Sequence, residues 1–124
     1  MQANVILCKC SPKHTFGIRV EKRSNGWVRT WAFKIDEERA KGEGYDGVKL
    51  TGSFEPVDNY PGCPYCGGTI GLSMCTCGRI NCSSGGSDPV DIDGELVVER
   101  TCNWCGETGY YTAADVLDAS AGRD

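Results

Sequence analysis

The chain has 124 residues, 13 Lys/Arg against 17 Asp/Glu, 17 Gly and nine Cys, for a formal net charge of −4. An acidic balance argues against general nucleic-acid binding, which rests on phosphate neutralisation, and no apolar run approaches the ~18 residues of a membrane span. A chain this long folds as one domain or two small lobes, and its Gly-rich, core-poor composition calls for a staple, which its thiols offer as metal ligands.

The thiols are Cys8, Cys10, Cys63, Cys66, Cys75, Cys77, Cys82, Cys102 and Cys105. Their number is odd, so internal disulfides cannot use them all. The N-terminal residues have no basic segment and only a short apolar run, so no secretory leader is expected. The expected compartment is the cytoplasm, where reduced thiols read as metal ligands or redox groups. Charge is uneven: residues 1–35 hold seven Lys/Arg and one acid, whereas residues 36–124 are strongly acidic.

Residues 4–10 read as a first strand and 11–14 as a turn. A β-hairpin follows over 15–35, with Asn25-Gly26 as a type I′ turn. Closure there pairs Val20 with Trp31, Ile18 with Phe33 and Phe16 with Ile35, all on one face, with Arg19, Glu21, Thr30, Ala32 and Lys34 on the other. Trp27 and Trp31 are expected to pack in the core. Residues 36–41 read as a short helix capped by Asp36, with Glu37 and Glu38 in its first turn. Residues 48–54 alternate as a strand, and the Pro-bearing stretch 55–61 is the best lobe boundary.

Two Cys-x-x-Cys-Gly turns then dominate, Cys63-Pro64-Tyr65-Cys66-Gly67 and Cys102-Asn103-Trp104-Cys105-Gly106. In such a knuckle the chain doubles back around a thiolate, and the Gly takes the positive φ that this requires. Two knuckles supply four thiolates for a tetrahedral zinc. Between them, residues 69–84 read as a hairpin turning at Gly78-Arg79, which puts Cys75 opposite Cys82 and sets Cys75, Cys77 and Cys82 on one face. The simplest grouping is Cys63, Cys66, Cys102 and Cys105 at one ion. Cys75, Cys77 and Cys82 would hold a second, completed by Cys10, with Cys8 or His14 as alternatives. An interleaved grouping, with Cys63 and Cys66 joined by thiols of the 75–82 hairpin, also fits, as does a single zinc ion. Residues 83–89 read as a loop, 95–100 and 109–111 as strands, 112–117 as a short helix, and 119–124 as a frayed tail.

Cys63-Pro64-Tyr65-Cys66 also matches the glutaredoxin motif. A reactive thiol there needs a helix N-terminus, and Gly67-Gly68 starts a helix poorly. One His and no Ser-centred nucleophile motif leave little for acid–base catalysis, so no enzymatic activity is expected.

The run Trp27-x-x-x-Trp31-Ala32-Phe33-Lys34-Ile35, then Gly44-Tyr45, the knuckle from Tyr60 to Gly67, Cys75-x-Cys77-Gly78-x-x-x-Cys82 and the knuckle at 102–106 resemble the TerY-C metal-binding domain. The resemblance spans roughly residues 8–115. It implies a bacterial cytoplasmic zinc-ribbon-like module of tellurite-resistance and stress-response systems, beside von Willebrand A proteins, kinases and phosphatases. The matching ligand positions are Cys63, Cys66, Cys75, Cys77, Cys82, Cys102 and Cys105.

The expected architecture is α+β, mostly β. An N-terminal hairpin lobe with a short helix (1–58) joins a zinc-ribbon lobe (59–118), followed by the tail (119–124). The expected function is a non-catalytic, zinc-binding interaction or scaffold module with protein partners. The alternatives are nucleic-acid binding through the basic hairpin 9–34 and a thiol oxidoreductase or redox sensor using Cys63 and Cys66.

Overall fold

A computed structural model of the chain describes residues 3–23, 26–45, 48–52, 54–67, 72–74, 79–82, 90–111 and 117–123. Strand β1 (Ala3–Ser11) carries the apolar run Val5-Ile6-Leu7, buried on both faces, as suits a central strand. It pairs antiparallel with β2 (His14–Arg23), which pairs with β3 (Gly26–Lys34). Helix α1 (Glu37–Gly42) follows; the Asp36 carboxylate accepts the Arg39 backbone N–H at 2.7 Å, and Glu37 and Glu38 occupy the first turn, as the sequence predicts. β4 (Val48–Gly52) and β5 (Phe54–Pro56) are separated by one residue, yet lie at opposite ends of the order β4-β11-β1-β2-β3-β5. The sheet must therefore curl until its ends approach, and Leu50 of β4 and Phe54 of β5 fall in one core cluster.

Two further strands, β6 (Leu72–Met74) and β7 (Ile80–Cys82), join this sheet where β7 runs parallel to β1, with Cys8 opposite Ile80 and Lys9 opposite Asn81. β8 (Val90–Ile92), β9 (Glu95–Thr101) and β10 (Thr108–Tyr111) form a separate three-stranded meander, and β11 (Leu117–Arg123) lies between β1 and β4. The described chain is thus mostly β with one short helix.

The first hairpin exists, but its register differs from the expected one. Gly17 pairs with Phe33, Ile18 with Ala32 and Arg19 with Trp31, and an irregularity follows between Arg19 and Val20, so that Arg23 pairs with Gly26. The closing pair brackets residues 24 and 25 rather than Asn25-Gly26. A shift of one residue exchanges faces. Ala32 therefore joins Ile18 in the core, and Trp31 is 55% exposed beside Arg19, contrary to the core placement expected for it. Trp27, beyond the irregularity, is buried and stacks on Phe54. Phe33 crosses the opposite face, and the glycine beneath it is required there. A Cβ at Gly17 would lie 2.6 Å from Phe33 Cζ and 2.9 Å from Val5 Cγ1. Gly17→Ala should cost about 1–3 kcal/mol of overpacking, read as a lower urea midpoint with unchanged metal content.

Three further expectations are corrected. The second hairpin pairs Leu72 with Cys82 and Met74 with Ile80, so Cys82 does not face Cys75. Cys75, Cys77 and the Gly78 end of the expected turn lie outside the described residues. The 112–116 part of the expected helix also lies outside them, and Leu117 begins a strand. Residues 119–123, expected to fray, are paired within β11: 119–121 with β4 and 121–123 with β1. Their poor intrinsic β-preference is overridden by two ladders of backbone hydrogen bonds. β8 was not anticipated. Asp93-Gly94, with φ of 53° and 87°, makes the tight turn from Ile92 to Glu95, and the Asp91 carboxylate accepts the Gly94 N–H at 2.9 Å.

Candidate metal centre

Four cysteine sulfurs meet where β1 and β7 end over the first knuckle. Cys10 is the next-to-last residue of β1 and Cys82 closes β7; continuing the parallel register from Lys9 and Asn81 puts them side by side. Cys63 and Cys66 come from the knuckle. The four Sγ atoms all lie within 4.8 Å of one another, with Cys66 and Cys82 at 3.5 Å. A tetrahedral zinc with Zn–S of about 2.3 Å spaces its sulfurs about 3.8 Å apart, inside that range. The donor set fits a closed, four-thiolate ion.

The knuckle geometry is local and follows from its residues. The Gly67 N–H donates to the Cys63 carbonyl at 2.8 Å, with Gly67 at φ 79°. Backbone N–H groups of Tyr65 and Cys66 point at the Cys63 sulfur. Burial pushes the Cys63 thiol up to about 12, with those N–H groups opposing the rise and the Cys66 and Cys10 side chains adding to it. Cys63 and Cys82 are buried, Cys10 is half-buried and Cys66 is exposed, so the cluster sits at the rim of the core.

Cys8 lies inside the core behind the cluster and is fully buried. Burial raises its thiol far above the ordinary value, the neighbouring Cys82, Cys63 and Cys10 raise it further, and the Arg100 guanidinium pulls it down. It is a packing thiol rather than one of the four converging donors. His14 stacks on Tyr65, ring centroids 4.4 Å apart, and is not in the cluster.

The second knuckle repeats the first. The Gly106 N–H donates to the Cys102 carbonyl at 3.0 Å, with Gly106 at φ 80°, and the Trp104 N–H reaches Cys102 Sγ at 3.4 Å. It docks on β7 through Asn81, which is almost wholly buried: Asn81 Nδ2 donates to Cys102 Sγ at 3.4 Å, and its Oδ1 accepts the Asn103 N–H at 2.9 Å. Asn103 Nδ2 donates to the Lys9 carbonyl and Trp104 Nε1 to the Ile80 carbonyl. Lys9 Nζ and the Arg79 guanidinium lie 4.6 and 4.9 Å from the Trp104 ring centroid.

Among the described residues, the sulfurs that converge with Cys63 and Cys66 are those of Cys10 and Cys82, and Cys102 and Cys105, expected with the first knuckle, are not in that cluster. The parallel β1–β7 pairing, which no sequence periodicity announces, delivers Cys10 and Cys82 to the first knuckle. Asn81 was the residue missed. It sits beside Cys82 in a strand too short to show a pattern.

No protein-family model, no curated protein and no solved structure matches the chain. No helix among the described residues is long and apolar enough to cross a membrane.

Proposed function

We propose that the chain is a non-catalytic, cytoplasmic zinc module whose folded sheet serves as a protein-interaction surface. The observation that carries this reading is the convergence of Cys10, Cys63, Cys66 and Cys82. Four thiolates leave no open coordination position for a bound water, which favours a structural ion over a catalytic one. A second zinc is proposed at Cys102 and Cys105, whose knuckle has the same turn as the first. Cys75 and Cys77, which lie outside the described residues, are the thiols left to complete its tetrahedron. The resemblance of the motif spacing to TerY-C domains supports a place in bacterial stress-response signalling.

The competing readings lose support. Four of the seven basic side chains of residues 1–35 are engaged within the molecule: Lys9 with Glu37, Arg19 and Arg23 with Glu21, and Arg29 with the Phe54 carbonyl. That dismantles most of the basic surface a nucleic acid would need. Residues 64–66 form a turn rather than a helix start, and the raised Cys63 thiol is the opposite of an activated nucleophile.

Elemental analysis of protein purified under reducing conditions, without added metal, tests the proposal. Two zinc ions per chain are expected. One would leave the described cluster and overturn the second site; none in folded protein would overturn the reading.

A further inference from the structure

Beside the first knuckle, the end of β3, the β1–β2 turn and α1 border two adjoining open clefts. One, of about 180 Å³, is lined by Phe33, Lys34, Ile35, Arg39, Glu43 and Tyr45. The other, of about 270 Å³, shares Lys34, Ile35 and Arg39 and adds Lys13, Asp36 and Tyr65. Lys13, Lys34 and Arg39 are exposed, and no carboxylate among the described residues forms an ion pair with any of them. This contrasts with the internally held cations of the same hairpin and with the chain's net negative charge. Two carboxylates, Asp36 and Glu43, also line the clefts against these three cations, and Asp36 accepts the Arg39 backbone N–H as the helix cap.

Tyr65 forms one wall and is itself part of the metal knuckle. Its hydroxyl donates to the Thr15 carbonyl at 3.0 Å, its ring stacks on His14, and Lys34 Nζ lies 4.9 Å from the ring centroid. The metal turn thus fixes the wall that carries Lys34 over its ring.

We propose that this cleft binds a phosphorylated serine or threonine side chain of a partner protein. A phosphate monoester carries nearly two negative charges and three acceptor oxygens, matching two ammonium groups and a guanidinium fork better than a single carboxylate does. The aromatic and aliphatic walls, Phe33, Ile35 and Tyr45, suit the flanking peptide. The inference rests on the interaction-module reading and names the chemistry of its partner.

The test is fluorescence anisotropy on the zinc-loaded full chain, with labelled degenerate peptide pools centred on phosphoserine or phosphothreonine. The same pools carrying serine or glutamate, a labelled oligonucleotide and competing inorganic phosphate complete the set. Salt-sensitive binding of a phosphorylated pool is expected, with the serine and glutamate pools at least about tenfold weaker and with Arg39→Ala or Lys34→Ala losing about tenfold or more. Both residues are exposed, so circular dichroism and zinc content should be unchanged in the variants. Equal binding of the glutamate pool, preference for the oligonucleotide, capture of free phosphate without peptide preference, or no binding by zinc-loaded protein would each overturn this inference. Absence of zinc would instead strike the reading it rests on, so the two failures are distinguishable.

Discussion

Cys82→Ser is expected to release the metal held at the first knuckle and to abolish cooperative folding of the sheet, while Cys8→Ala keeps both. Structural zinc sites contribute on the order of 10 kcal/mol at neutral pH, comparable with the whole stability of a domain this size. Cys82 is simultaneously a donor in the cluster, a core residue and the end of the strand on which the second knuckle docks. Cys8, equally buried and two residues from Cys10, contributes packing only, and its truncation should cost about 1–2 kcal/mol. Zinc content and urea denaturation of the two variants check this directly. Equal zinc loss in both would show that Cys8, not Cys10, closes the site. The pH dependence has a definite sign. Burial lifts Cys63 to about 12, so in metal-free protein the folded state holds its thiol proton more tightly than the unfolded chain. That contribution is complete below the unfolded thiol's pKa and is lost as pH rises toward 12. Metal binding must displace the proton, so chelator competition should show zinc affinity rising with pH.

The second large effect is expected at Asn81. Asn81→Leu keeps the branched shape at somewhat larger volume and removes both side-chain hydrogen bonds, leaving the Asn103 N–H without that acceptor and the Cys102 sulfur without the Asn81 donor. An unsatisfied buried donor costs about 1–3 kcal/mol, and loosening the knuckle exposes the contacts of Trp104 with Ile80, Lys9 and Arg79 as well. We expect a total loss of roughly 3 kcal/mol. Accelerated amide exchange should be concentrated at residues 102–106. Unchanged protection there would mean that the knuckle is held by something other than Asn81.

The sequence alone determined whatever is local. Cys-x-x-Cys-Gly dictates the two knuckles, because the thiol spacing and the glycine's access to positive φ act within six residues. Asp36 followed by two glutamates dictates the helix start. Val5-Ile6-Leu7, apolar without alternation, marks a strand covered on both faces. The existence of the 15–35 hairpin was legible, but not its register. The irregularity between Arg19 and Val20 moves Trp31 to the surface, and bulges follow from packing across strands rather than from the turn dipeptide.

Only the tertiary structure decided which thiols meet. Cys10 and Cys82 are 72 residues apart in sequence and become neighbours through a parallel ladder of two residue pairs, a contact too short and too distant to leave a periodic trace. The same is true of β11. Its Ala-Ser-Ala-Gly run has the composition of a loose tail, and it is a strand because β1 and β4 leave a place between them that hydrogen bonds fill. Local chemistry names the candidate ligands, and long-range backbone pairing assigns them to one another.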